Sequence, residues 1–231
     1  ISWADKNITL RGAGSDVTTL ASNGDTIQVT VTDPTKGQFR ITGMTIKGVL
    51  TGFAQIIYLT SLPVAAAVTS RFRIDHLEFD YATSESSAIQ IFIAGILWGL
   101  IDHIDFKCQG CLNTSVAAQT DEEYNTGQLA GQTSASLPLD LGTDKAVYVE
   151  DSTFTQTAVT QTWAVNDSTY GGRMVFRHNV AKGNMHFQTH ATRLNHRGGV
   201  KSEVYNNHFT GSQPLQAYGA IFQSSSDSEV I

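Results

Sequence analysis

The chain has 231 residues, 41% of them hydrophobic and only 16% charged, with a formal net charge of −6. That length suits one sizeable domain, and with no basic run in the sequence neither nucleic acid nor an anionic membrane is an expected partner. Abundant Thr, Ser, Asn, Gln and Gly favour strands with polar faces over long surface helices, which draw on Glu, Lys and Ala.

From the N-terminus onward one short pattern recurs. NITLRGAG at Asn7 is a weak first copy. FRITGMTIKG from Phe39, FRIDHLEFDY from Phe72 and GLIDHIDFKC from Gly99 follow. VYVEDSTFTQ from Val147, MVFRHNVAKG from Met174 and SEVYNNHFTG from Ser202 complete the series. Apolar anchors stand at Ile41, Ile74, Ile101, Val149, Phe176 and Val204, spaced 33, 27, 48, 27 and 28 residues apart. Each has a partner five positions on: Ile46, Phe79, Phe106, Phe154, Ala181 and Phe209. Alternation within a copy has the period of a strand, broken once by a polar pair such as Asp75-His76 or Asn206-Asn207, which reads as a corner between two short strands.

Further strand-like segments lie between copies. AIQIFIAG follows the second, LPLDLG precedes the fourth, and QTWAVND, HFQTHATR and QAYGAIF follow the last three. Three short strands per period make one coil of a solenoid, and no period carries a helical pattern, so a βαβ fold is excluded. The expected fold is all-β: a right-handed parallel β-helix (β-solenoid) of roughly seven coils, stacked about 4.8 Å apart around ladders of Ile, Val and Phe. It is expected to be a single domain over 1–231, and a piece of a longer solenoid, since Ile231 falls in mid-pattern. The widest spacing contains Cys108–Ser136, polar, Gly-rich and without periodicity, expected as a long loop at about 108–136. Such insertions gather on one face of a solenoid, often the binding face, or are merely tolerated excursions. The longest apolar run, Ile89–Trp98, is too short to span a bilayer.

Several residues carry candidate chemistry. If LPLDLG, QTWAVND and HFQTHATR stack in one sheet, Asp140, Asp167 and His190 or Arg193 share a face on neighbouring coils. Asp140 and Asp167 would then hold Ca²⁺, with Glu150, Asp151, Glu122 and Glu123 as further oxygen ligands; the plainer reading is solvated surface acids. His186, His190 and His196 lack the nearby Cys or acidic ligands that zinc favours. Arg193 and Arg197 either fork onto substrate carboxylates or pair with Glu203 or Asp167 to hold loops. The triplet Ile-Asp-His occurs at 74–76 and again at 101–103; a catalytic residue is needed once, so the repetition favours a structural corner over acid–base work. Asn207 suits an Asn ladder or simple turn chemistry. Cys108 and Cys111 read as a disulfide at the base of the long loop rather than a redox pair or half a zinc site. Trp98, Trp163 and Tyr218 serve either as sugar-stacking platforms or as core.

GLIDHIDF at Gly99 is similar to the W-I-D-H strand of the pectate lyase superfamily, and LPLDLG to its V-D-I strand. Arg193-Leu-Asn-His-Arg197-Gly-Gly, ahead of Glu203-Val-Tyr-Asn-Asn207, is similar to the R-x-P-x-x-R-x-G that precedes V-Y-N-N in that superfamily. The chain therefore resembles these right-handed parallel β-helices. The resemblance implies Arg193 as the catalytic arginine and Asp140 and Asp167 as Ca²⁺ ligands. It departs where the two arginines stand four apart instead of five, where the proline is absent, and at Ser136, where the superfamily places an acid. Ala146–Asn207 also resembles uncharacterised β-helix repeat proteins, whose recurrent polar residues fall at His190, Arg197 and Glu203.

The expected function is that of an extracellular protein, at a cell or virion surface, that binds or acts on polysaccharide. As a polyuronate lyase it would work by β-elimination, with Arg193, His190 and Arg197 catalytic and Trp163, Tyr218 and Glu203 binding substrate. A cation on Asp140 and Asp167 would stabilise the enolate-like charge. As a glycoside hydrolase it would need two carboxylates about 5–9 Å apart, for which Asp140 and Asp167 are the pair. The alternative is a non-catalytic structural solenoid, an adhesin, fibre or phage tail-spike segment, as a homo-oligomer that covers its open coil ends.

Overall fold

The computed structural model describes residues 1–33, 36, 38–49, 54–61, 71–82, 88–95, 97–109, 113–119, 139–156, 162–166, 173–183, 185–189, 201–210 and 221–223. Among them every regular element is a β-strand, and every strand pair is parallel. No helix among them is long and apolar enough to cross a membrane.

The chain is a β-solenoid with two sheets. The first runs in the order β1 (Ser2–Ala4), β4 (Ile27–Val31), β6 (Ala54–Ser61), β8 (Ala88–Ala94), β11 (Asn113–Gln119), β14 (Thr162–Asn166), β17 (Met185–Thr189) and β20 (Ile221–Gln223). The second has two rows joined through two long strands, β5 (Phe39–Gly48) and β7 (Arg71–Ala82). An anchor row consists of β2 (Ile8–Arg11), the first halves of β5 and β7, then β9 (Trp98–Asp102), β12 (Val147–Glu150), β15 (Arg173–Arg177) and β18 (Lys201–Tyr205). A partner row consists of β3 (Thr19–Ala21), the second halves of β5 and β7, then β10 (Asp105–Gln109), β13 (Thr153–Gln156), β16 (Val180–Lys182) and β19 (His208–Thr210).

The repeat in the sequence is the register of the sheets. Leu10, Ile41, Ile74, Ile101, Val149, Phe176 and Val204 pair successively along the anchor row. Leu20, Ile46, Phe79, Phe106, Phe154, Ala181 and Phe209 do the same along the partner row. Members with a neighbour on both sides are almost completely buried, whereas Leu10, Leu20, Val204 and Phe209 at the ends are only partly covered. The phenylalanines stack: Phe79 on Phe106 at 5.3 Å and Phe106 on Phe154 at 4.6 Å between ring centroids. Each such buried side chain contributes roughly 1.5–3 kcal/mol, so the columns supply the drive that a single coil lacks. The opposite wall is the column Ile27, Ile57, Ile91 and Val116, all fully buried and in register.

From β5 onward the corner between the two rows has one conformation. Gly43, His76, His103, Asp151, His178 and Asn206 have φ between 49° and 72°, the left-handed region. Their register neighbours pair on either side, so these residues form one column. The next position inward is Met44, Leu77 and Ile104 in the early coils and Ser152, Asn179 and Asn207 in the later ones. There the Asn207 Oδ1 accepts from Asn179 N at 2.9 Å, the Asn179 Oδ1 accepts from Ser152 N at 3.0 Å, and Asn179 Nδ2 donates to Val149 O at 2.9 Å. Asn207 thus belongs to an Asn ladder, which satisfies amides that the tight turn leaves without strand partners.

Two sequence expectations need correction. The stretch 108–136 is not loop throughout: Cys108 lies in β10, and Asn113–Gln119 forms β11, whose Val116 pairs with Ile91 and is fully buried. The described part of LPLDLG, 139–142, is not strand: Leu139 and Asp140 are irregular and Leu141 begins a turn, with Asp140 at φ 49°, in the left-handed region. The neighbour of β14 is therefore β11, in the register Thr114 to Trp163 and Val116 to Val165. Cys111 lies outside the described residues, and so does the proposed disulfide.

Candidate functional site

Because side chains alternate across a strand, the residues between the buried anchors face outward. Along the anchor row they form two files, in register from strand to strand. One file is Arg40, Arg73, Leu100, Tyr148, Val175 and Glu203, and the other is Thr42, Asp75, Asp102, Glu150, Arg177 and Tyr205. Opposite charges sit diagonally across strands and close on one another. Arg40 donates Nε to Asp75 Oδ2 at 2.7 Å and Nη2 to Oδ1 at 2.9 Å. Arg73 makes the same fork on Asp102, at 3.1 and 2.8 Å, while its Nε also lies 2.7 Å from Asp75 Oδ2. Thr42 donates its hydroxyl to Asp75 as well.

These contacts explain how two outward carboxylates come to be buried. Asp75 has no exposed surface and Asp102 only 3%, since the arginines of the neighbouring strands lie over them. For Asp75, burial alone would push the carboxyl pKa up, but hydrogen bonds from Arg40, Thr42 and His76 outweigh it and hold the pKa at about 2. The hydrogen bonds to these carboxylates raise the Arg40 and Arg73 pKa values in turn.

Next in the chain stand the corner histidines. His76 Nδ1 is 3.0 Å from Asp75 Oδ1, and His103 Nδ1 is 2.8 Å from Asp102 Oδ2. With Nδ1–H given to the carboxylate, Nε2 is left as the acceptor on each ring. Both rings are more than half exposed. They border a groove of about 510 Å³ that also meets Glu78, Asp105, Asp151 and Thr153. Lys107 spans Glu78 and Asp105, with Nζ 3.1 Å from each. Farther along the face, Arg177 bonds Glu150 and the Tyr205 hydroxyl, and its guanidinium lies over the Tyr148 ring at 5.3 Å. The face presents an ordered series of donors, acceptors and rings that an extended polar ligand can meet side by side.

Of the residues singled out from sequence, Arg193, His190, Arg197, Asp167 and Tyr218 lie outside the described residues. Trp163 is in β14, in register with Thr114 and His186. Glu203 is in β18, partly exposed, on the outward file with Arg73 and Tyr148. Asp140 stands in the turn before β12, away from the sheet that holds β14, with Lys145 Nζ 3.9 Å from its carboxylate. Asp167, the other acid of the expected Ca²⁺ pair, lies outside the described residues, and among the described residues no group of three or more His, Cys, Asp or Glu is arranged to hold a metal. Trp98 is only 3% exposed and is core, not a stacking platform. The Ile-Asp-His triplets are structural corners, as their repetition implied. What sequence reasoning missed is the arginine one coil earlier that binds each aspartate, Arg40 for Asp75 and Arg73 for Asp102. Its signal was present in the identical Phe-Arg-Ile at 39–41 and 72–74.

The chain matches no protein-family model, no curated protein and no solved structure. Function therefore rests on the chemistry of this face.

Proposed function

We propose that the chain is a right-handed parallel β-helix of roughly seven coils that works outside the cell, at a cell or virion surface, by holding a polysaccharide along its outer face. One observation carries this reading: the outward files of the anchor row bring Arg40, Arg73, Tyr148 and Glu203, and Glu150, Arg177 and Tyr205, into register along one face, interrupted by Leu100 and the buried Val175. Parallel strands stand about 4.8 Å apart, so such a face offers similar chemistry at short, regular intervals. A linear glycan offers hydroxyls and ring faces at regular intervals too, and solenoids form extended binding surfaces of this kind. Glu203, on the same file as Arg40, Arg73 and Tyr148, supports its role as a sugar contact.

Within this reading Trp163 and Tyr218 are further sugar contacts, and Arg193, His190 and Arg197 are the groups that would abstract a proton and bind carboxylate if the polymer is a cleaved polyuronate. On the same reading a Ca²⁺ held by Asp140 and Asp167 would stabilise the charge that develops.

The test is incubation with a panel of neutral and acidic polysaccharides, following retention by affinity electrophoresis and unsaturated product by ultraviolet absorbance. Retention without product identifies a binding solenoid. Product that disappears in Arg193→Ala identifies a lyase. Neither, in protein with the circular dichroism of a folded β-sheet, overturns the reading in favour of a purely structural solenoid.

A further inference from the structure

Two shallow depressions adjoin on the outer face of the anchor row, of about 390 and 380 Å³, sharing Thr9 and Arg40. Between them they are lined by four arginines, Arg11, Arg40, Arg71 and Arg73, and no acidic side chain lines either one. Three of the four are ion-paired, Arg71 with Asp144 and Arg40 and Arg73 with Asp75 and Asp102, so what this lining offers in a chain with 21 acidic and 15 basic residues is the outward guanidinium edges and the exposed Arg11. Arg40 and Arg73 are directly opposite in register on β5 and β7. Like charges so placed repel one another, and the fold offsets this with Asp75 and Asp102, buried beneath them. Each aspartate takes the Nε and Nη2 of one arginine. The forks leave Nη1 of both guanidiniums out of the contact, and both side chains remain more than two-fifths exposed. Arg11 at the near end is exposed. Gln38, Asn7 and Thr9 add neutral polar groups.

We infer that this double depression is an anion-binding site, and that the polymer held there carries carboxylate or sulfate groups. The inference rests on the polysaccharide reading and narrows it. Guanidinium presents donors only and matches planar oxyanions. The buried aspartates fix two guanidiniums on adjacent strands before any ligand arrives, which lowers the ordering cost of binding. Neighbouring anionic groups of one chain would meet Arg40 and Arg73, with Arg11 flanking them; Arg71 is already engaged by Asp144. This site lies on the second sheet, whereas β14 and β17 belong to the first.

The experiment titrates the full chain with dextran sulfate, polygalacturonate and unmodified dextran by calorimetry, at low and high salt. Charged polymers are expected to bind at least about tenfold more tightly than dextran, with the preference shrinking in salt. Arg11→Gln should weaken the charged polymers about threefold and Arg40→Gln about tenfold, since charge-assisted hydrogen bonds are the stronger kind. Lys182→Gln, an exposed charge on the partner row, should leave affinity unchanged. Arg11→Gln tests the site without disturbing a buried partner, should Arg40→Gln fail to fold. The stronger of dextran sulfate and polygalacturonate identifies the anion. Equal binding of dextran and the charged polymers, untouched by the arginine changes, overturns this inference and leaves polysaccharide binding standing. So does an equal loss in Lys182→Gln, which marks mere net charge. Absence of binding to all three, together with no retention across the wider panel, overturns both.

Discussion

His76 and His103 stack face to face, ring centroids 5.0 Å apart and planes 1° from parallel, each with Nδ1 on the buried aspartate that precedes it. Two residues 27 positions apart in sequence thus share ring orientation, backbone conformation and partner type. Nothing in either coil alone requires this; the register between coils does.

The aspartates hold this arrangement. Asp75→Asn removes the charge that Arg40 and Arg73 share and leaves those cations facing each other across the strands. Losing one partner of a buried ion pair costs about 3–5 kcal/mol, and the lower end applies because both arginines can reach water. A urea titration should register a loss of about 3 kcal/mol. Asp102→Asn, which releases only Arg73 and His103, should cost less; the reverse order would contradict the network.

Acid should find the same group. The folded-state pKa of Asp75 is depressed to about 2 from 3.8. A depressed carboxyl binds fewer protons when folded, so its contribution is complete above the unfolded value and is lost as pH falls through the folded one. Between pH 5 and pH 2 the chain should lose on the order of 2 kcal/mol through this residue. Asp75→Asn should show a correspondingly flatter profile, and parallel profiles for the two proteins would remove Asp75 from the account.

Asn179 ties its own coil to the coils on either side by one side chain. Its amide accepts from Ser152 N and donates to Val149 O and Asn207 Oδ1. In Asn179→Ala the buried amide and carbonyl lose their partners, at about 1–3 kcal/mol each. A fall of about 2–4 kcal/mol is expected in thermal or chemical unfolding, and hydrogen exchange at the Ser152 amide should accelerate selectively.

Gly48 is where β5 lies against the segment after β3. An added Cβ would stand 1.5 Å from Ser22 O, a backbone atom that cannot swing aside. Gly48→Ala should therefore cost about 3 kcal/mol or more, the upper range for forced overpacking. Gly24, whose Cβ would meet nothing within 4 Å, provides the comparison: Gly24→Ala should change the unfolding midpoint little.

The parts of the fold legible in sequence were those set by burial. Ile41 to Val204 and Ile46 to Phe209 announced both rows because an inward position must be apolar in every coil. β11 was hidden since only Val116 of Asn113–Gln119 is a large apolar residue, too little for a periodic signal. Leu139–Leu141 misled for the opposite reason: its alternation is that of a strand, yet the backbone turns at Asp140. The pairing of Arg40 with Asp75, 35 residues away, follows from a diagonal offset between coils. No local pattern encodes that offset; only the register, once known, exposes it.

The left-handed column has a bearing on how such a chain can change in length. From Ile41 onward anchor and partner are five residues apart, with the corner between them, while the distance from one of these anchors to the next ranges from 27 to 48; in the first coil Leu10 and Leu20 stand ten apart. Beyond that terminal coil, growth and shrinkage are confined to the arc outside the corner. A residue inserted between Ile74 and Phe79 would displace a column on which every neighbouring coil depends. A whole period spliced in or cut out would present matching corners above and below. The molecule is tolerant of whole repeating units and intolerant of single residues, so its lineage is expected to vary in numbers of coils rather than in the corner itself.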